Sequence, residues 1–173
     1  APGLIPHISD GVHVIGNDGL ADSERSRRLT AYHAPYHAAI DTAIAETASA
    51  LLVSIHSFTP QLATRPDEAR PWPVGILYNQ DDRAARLGIA ALAARGWNVG
   101  DNQPYSGRVL NATMNRHAEA RGLPYLGVEV RQDQLGDAAG IERWADILAD
   151  VVSEVERHAS ADCRDSRPSA TSD

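Results

Sequence analysis

ALLVSIHSFTPQ, Ala50 to Gln61, is an apolar run of strand length that ends on a histidine and passes at once into a hydroxyl-bearing, proline-stopped loop. Two further runs have the same character: VGILYN at 74–79 and LPYLGVEVRQD at 123–133. A shorter one, WNVGD at 97–101, leads into the loop NQPYSGRV. Between them lie segments of helical period. DDRAARLGIAALAARG has Asp81 or Asp82 near its start and Gly96 at its end, and LNATMNRHAEARG closes on Gly122. GDAAGIERWADILADVVSEVERH carries Ile141, Trp144, Leu148, Val151, Val152 and Val155 on one side. Strands alternating with helices predict an α/β three-layer sandwich whose mixed, largely parallel sheet is flanked by helices.

Ahead of this core, residues 1–20 carry Pro, Gly, Asn and Asp at turn-forming density and read as loop. ADSERSRRLTAYHAPYHAAIDTAIAETA predicts a long helix capped by Asp22 or Ser23. Pro35 lies inside it, lacks an N–H and clashes with the preceding turn, so the helix should kink or divide there. QLATRPDEARPWP, with three prolines, is a long loop. Residues 1–158 read as one domain and 159–173 as a disordered polar tail.

Composition narrows the partners. Sixteen Lys and Arg against 23 Asp and Glu leave a net charge of −7, the wrong sign for nucleic acid or an anionic membrane. No run approaches the roughly 18 apolar residues of a membrane span, and no signal segment opens the chain. The single cysteine, Cys163, provides neither a disulfide framework nor a thiolate metal cluster. Cytoplasmic residence is the expectation.

In open α/β sheets, ligands bind beyond the carboxyl ends of the strands. The polar residues there are His56, Ser57 and Thr59; Asn79 and Asp81; Asp101 and Asn102; Glu129, Arg131 and Asp133. His56 reads either as a structural hydrogen-bonding residue or as a metal ligand; neutral imidazole suits zinc, with Ser54 and Ser57 available to support it. Strand alternation puts Glu129 and Arg131 on one face, with Val128 and Val130 on the other. A carboxylate on a central strand is costly unless paired or used. Desolvation would raise its pKa toward the range of a general base, and Arg131 would oppose that rise. Arg70 can orient an anionic substrate as a two-pronged donor, and Asn102 and Tyr105 of GDNQPY are candidate substrate contacts. HAPYH sets His33 and His37 at the four-residue spacing of paired helical ligands, but Ala34 stands where a zinc protease carries its glutamate and Pro35 lies between them, so they read as structural. No phosphate-binding glycine loop or nucleophile elbow is present.

Taken in order, GNDGL…YHAPYHAAI, LVSIHSFTP, RPWPVGILYNQD, GDNQPYS, GLPYLGVEVRQD and WADILADVV resemble the N-formylglutamate amidohydrolase family over about Pro6 to Val155. The resemblance implies a fold like that of the zinc carboxypeptidases and metal-dependent hydrolysis of N-formyl-L-glutamate or a similar N-acyl amino acid. It implies zinc held by His56, Glu129 as general base, Arg131 as a positioning group, and Arg70, Asn102 and Tyr105 in the substrate pocket. Family members carry further metal ligands on an earlier strand, so the chain is expected to be N-terminally incomplete. A non-catalytic binding protein on the same fold is the alternative.

Overall fold

The computed structural model describes residues 3–47 and 51–165, with side chains to residue 159. The chain divides into two compact units: one comprises residues 1–48 and 61–69, the other residues 49–60 and 70–173.

The smaller unit holds a structure that reading residues 1–20 as loop did not anticipate. Strands β1 (Ile8–Ser9) and β2 (Val12–His13) pair antiparallel. Asp10 and Gly11 turn between them with φ of 51° and 78°, the left-handed pair that matches the twist of a two-residue hairpin. Helix α1 (Asp22–Arg28) follows, uncapped by any side chain, with Asp22 and Glu24 in its first turn, where the helix dipole favours acids. The division expected at Pro35 takes the form of a wide π-type turn over Leu29–His33, after which α2 (Ala34–Glu46) starts with the proline in its first turn. There a missing N–H costs nothing.

The larger unit is built on four strands, β3 (Leu52–Phe58), β4 (Val74–Leu77), β5 (Val99–Asp101) and β6 (Tyr125–Arg131). They lie in the order β3-β6-β4-β5. β3 runs parallel to β6 and β4 parallel to β5, while β4 and β6 are antiparallel. The helices are α3 (Arg83–Ala94), α4 (Ala112–His117) and α5 (Ala138–Asp165). This is the expected α/β architecture with a mixed, largely parallel open sheet. α5 continues through residues 159–165, which the composition assigns to a disordered tail; residues 166–173 lie outside the described residues.

The sheet has two unlike faces, and alternation decides which residue goes where. One face, from Val53, Leu126, Val128, Val130, Val74 and Ile76, packs on α3 and α5. Leu126, Val128, Val130, Ile76, Leu92, Trp144, Val151 and Val155 are each at most 2% exposed. Gly88 of α3 faces Leu126, whose Cδ1 would stand 2.7 Å from any Cβ added there. The other face carries Ser54, His56, Gly127, Glu129, Gly75 and Gly100, a polar and bare surface. The Gln103–Pro104 segment lies directly on its two glycines: a Cβ at Gly75 or Gly100 would meet the Gln103 carbonyl oxygen at 2.1 or 2.4 Å.

The antiparallel pairing corrects one expectation. With β4 reversed against β6, Leu77 sits beside Gly127 and Val74 beside Val130. The carboxyl ends of β4 and β5 therefore face away from those of β3 and β6, and the four sets of strand-end polar groups do not converge.

Candidate active site

His56 and Glu129 are register partners across the parallel β3–β6 pair. Adjacent strands are about 4.8 Å apart and partners project to the same face, so the imidazole and the carboxyl stand side by side. They line a cavity of about 190 Å³ with Ser54, Leu77, Asn111 and Thr113. His56 is exposed, while Glu129 is partly buried. The Glu129 Oε2 atom is buried and has no hydrogen-bond partner among the described residues. Burial pushes the Glu129 carboxyl above its ordinary 4.5, and the His56 imidazole pulls it back in part.

Arg131, expected to oppose that rise, is engaged elsewhere. Its Nε and Nη2 donate to the two Asp133 carboxylate oxygens at 2.7 and 3.0 Å, and its Nη1 donates to the Arg70 carbonyl at 2.8 Å. The fork holds Asp133 below the usual carboxylate range. Ser54 shares the face of His56, but Ser57, one residue on, falls on the opposite face beside Val130 and cannot support the imidazole.

A second cluster gathers residues far apart in the sequence. Arg70 is 4% exposed. Its Nη1 donates to the Thr59 carbonyl at 3.1 Å and to the Tyr105 hydroxyl at 3.4 Å, and its guanidinium lies 5.1 Å from the Tyr105 ring centre. Arg70, Tyr105 and Arg131 are thus brought together near the carboxyl ends of β3 and β6. Asn102 is not among them. With φ of 53°, it turns the loop after β5, and its Oδ1 accepts the Tyr78 and Gly107 N–H groups at 3.0 Å each.

The model of the N-formylglutamate amidohydrolase family matches residues 2–135, well over half of the chain. The chain belongs to that family. Among solved structures, a gene product of Agrobacterium tumefaciens is similar with a TM-score of 0.81 and 28% identity, covering 90% of this chain and 62% of its own. The N-formylglutamate amidohydrolase of Ralstonia eutropha is similar in fold, with a TM-score of 0.57 and 21% identity over 86% of this chain and 61% of its own. The chain therefore spans under two thirds of the length of either. Among curated proteins, none matches it.

For a member of an amidohydrolase family, the question is whether the donors fit a catalytic metal. His56, beside an orphaned buried carboxylate oxygen, suits one ligand position. A catalytic zinc takes three protein ligands, and among the described residues no group of three His, Cys, Asp or Glu side chains can hold an ion. The set does not fit a complete zinc site.

Beside the cavity lies a network that the strand and helix patterns did not reveal. Tyr125 donates to Glu119 Oε1 at 2.9 Å and accepts from the Asn79 N–H and Asn111 Nδ2, both at 2.8 Å. Glu119 also accepts the Gln80 and Asp81 N–H groups at 2.9 and 3.0 Å. Burial, joined by the Glu119 charge, pushes the Tyr125 hydroxyl up to about 12. Burial alone would raise Glu119 too, but the hydrogen bonds it accepts outweigh that and hold it low. Asn79 and Asp81, candidates for ligand contact by their place at a strand end, serve this network. Its one sequence signal is a tyrosine opening the strand YLGVEVR. Tyr125→Phe removes the acceptor of the Asn79 N–H and of the buried Asn111 side chain and is expected to cost about 1–3 kcal/mol, read as a lower denaturant midpoint; an unchanged midpoint would show that the hydroxyl is dispensable.

No described helix is long and apolar enough to cross a membrane.

Proposed function

We propose that this chain forms the catalytic part of an amide hydrolase acting on N-formyl-L-glutamate or a similar N-acyl amino acid, with Glu129 as general base. The observation that carries this reading is the pairing of His56 and Glu129 on one sheet face, with a carboxyl raised by burial and one of its oxygens unpartnered. Family membership supplies the reaction class.

Glu129 has the attributes of a base for water. A carboxylate with a raised pKa accepts a proton more readily, and one of its oxygens has no hydrogen-bond partner among the described residues. In the proposed reaction Glu129 removes a proton from water as the water oxygen bonds to the acyl carbon. The C–N bond then breaks, and Glu129 returns the proton to the departing nitrogen. The products are formate, or another acid, and the free amino acid. Arg70, Tyr105 and Arg131 form the proposed substrate side of the site, where a guanidinium can meet a substrate carboxylate; Asn102 acts through the loop that carries Tyr105.

His56 is proposed as one ligand of a divalent ion of the zinc type, which when bound would polarise the acyl oxygen. Among the described residues no group of three His, Cys, Asp or Glu side chains completes that site. The same incompleteness supports a second reading, a non-catalytic member that binds N-acyl amino acids. In either reading residues 1–158 act as one amidohydrolase-like domain, and the setting is the cytoplasm.

Formate release from N-formyl-L-glutamate, measured with purified chain and added zinc, separates the two readings. Turnover that His56→Ala abolishes supports the hydrolase. Saturable binding of the substrate with no formate released would replace it with the binding protein.

A further inference from the structure

The strand register that pairs His56 with Glu129 also fixes what lies on either side of them. Side chains two residues apart share a face and stand roughly 6–7 Å apart along a strand. Two residues beyond Glu129 comes Arg131, which reaches the Arg70 carbonyl and belongs to the proposed substrate side. Two residues before it comes Gly127, in a row with Ser54 of β3 and Leu77 of β4. That row forms the floor of the cavity of about 190 Å³, and Asn111, Thr113 and Met114 at the start of α4 wall it.

An amide has one arm on nitrogen and one on carbon, and the two leave the scissile bond in opposite directions. With the amino-acid arm held by Arg70, Tyr105 and Arg131 and the bond placed over His56 and Glu129, the acyl arm is directed over Gly127 into the cavity. We infer that this cavity is an acyl pocket, and that the chain takes N-acyl amino acids whose acyl group is a short, uncharged hydrocarbon chain in preference to formyl. The inference rests on the proposed reading of the chain as a protein for N-acyl amino acids.

The floor and walls suit such a group. Gly127 has no side chain and Ser54 a short one, so the floor is open beside the reacting pair. Packing keeps Gly127 bare, since a Cβ there would stand 2.9 Å from the Leu77 carbonyl oxygen. Leu77 and Met114, 7% and 6% exposed, supply apolar surface inside. Leu110, also in the lining, is 61% exposed and presents an apolar side chain at the mouth. Besides His56 and Glu129, no lining residue among those described is ionisable. The Asn111 amide nitrogen is taken by the Tyr125 hydroxyl. A formyl group carries only a hydrogen beyond its carbonyl and would leave this space to water that apolar walls hold poorly. A propanoyl or butanoyl chain displaces that water, which gains affinity.

Calorimetric titration of the full chain carrying Glu129→Gln, which keeps the cavity and lacks the proposed base, compares N-formyl-, N-butanoyl- and N-succinyl-L-glutamate. The butanoyl ligand is expected to bind at least about tenfold more tightly than the formyl one, the lower value for a single methylene in a hydrophobic pocket. The succinyl ligand, with a carboxylate in place of the terminal methyl, should bind more weakly than the butanoyl one. Adding Thr113→Leu, which fills the wall, or Leu110→Ala, which strips the exposed mouth and spares the core, should lower the butanoyl preference. Formyl or succinyl bound as tightly as butanoyl, or a preference that neither substitution moves, would overturn the acyl pocket. Glutamate release by the unsubstituted chain tests the hydrolase reading separately. The expected order of affinities without release supports the pocket in a binding protein, whereas no binding of any of the three ligands removes both readings.

Discussion

Glu129→Gln is expected to lower formate release by about 10²–10⁴-fold, the usual contribution of a general base, while making the folded chain more stable. The two effects come from the same physical situation. Glu129 lies on β6 between β3 and β4, half-buried, with Oε2 unpartnered among the described residues. Desolvation raises its pKa above 4.5. In the window between the unfolded and the raised folded value, the native state holds more protons than the unfolded state. Stability therefore falls as pH rises through that window and stays lower above it. Glutamine keeps the shape and cannot ionise, so it removes this cost. At neutral pH, with a chelator present, Tm should rise by roughly 2–4 °C per kcal/mol recovered for a chain of this size, and the gain should vanish below the unfolded pKa of the carboxyl. A variant that kept full turnover would remove Glu129 from the chemistry. A variant less stable at neutral pH would show that the carboxylate is paired in the native state.

Gly75→Ala is the structural counterpart, expected to cost about 3 kcal/mol, the upper end for added atoms in a packed interior. Gly75 is paired on both sides, with Glu129 on β6 and Gly100 on β5. Its new Cβ would stand 2.1 Å from the Gln103 carbonyl oxygen. That atom is backbone and cannot rotate away, and Val74 and Ile76 on the other face of β4 are fully buried, so the strand has no room to retreat. The Gln103–Pro104 segment must lift, and Tyr105 moves with it. Since Arg70 donates to the Tyr105 hydroxyl and lies over its ring, the substrate side of the site should be disturbed as well. The measurement is chemical unfolding together with KM. A midpoint and KM both unchanged would mean that the loop is not held against the sheet.

Much of this could be read in the sequence because periodicity is a local property. β3, β4 and β6 are apolar runs with few alternatives, and α3 and α5 repeat their buried residues at helical spacing. Trp144, Leu148, Val151 and Val155 are buried as that spacing requires, though Ile141 is 56% exposed. The common face of Glu129 and Arg131 followed from alternation alone. What escaped was decided between distant segments. Nothing local states that β4 runs against β6, and that reversal separates Asn79 and Asp101 from His56 and Glu129. Arg131 was expected to act on Glu129 two residues away; Asp133, also two residues away, takes its guanidinium because the chain turns back after β6. The Ile8–His13 hairpin did carry a signal in Asp10–Gly11, but two-residue strands leave too little alternation to recognise. The approach of His33 to His37, whose Nε2 atoms are 3.0 Å apart, was hidden by Pro35, whose effect depends on the width of the turn before it.

The pH dependence of kcat/KM for formate release tests the central claim most directly, since it reports the ionisation of the essential base in the free enzyme. If buried Glu129 is that base, activity falls on the acid side with a midpoint above 4.5, the ordinary glutamate value, and Glu129→Gln abolishes that limb. A midpoint at or below 4.5, or an acid limb that survives Glu129→Gln, would contradict the assignment.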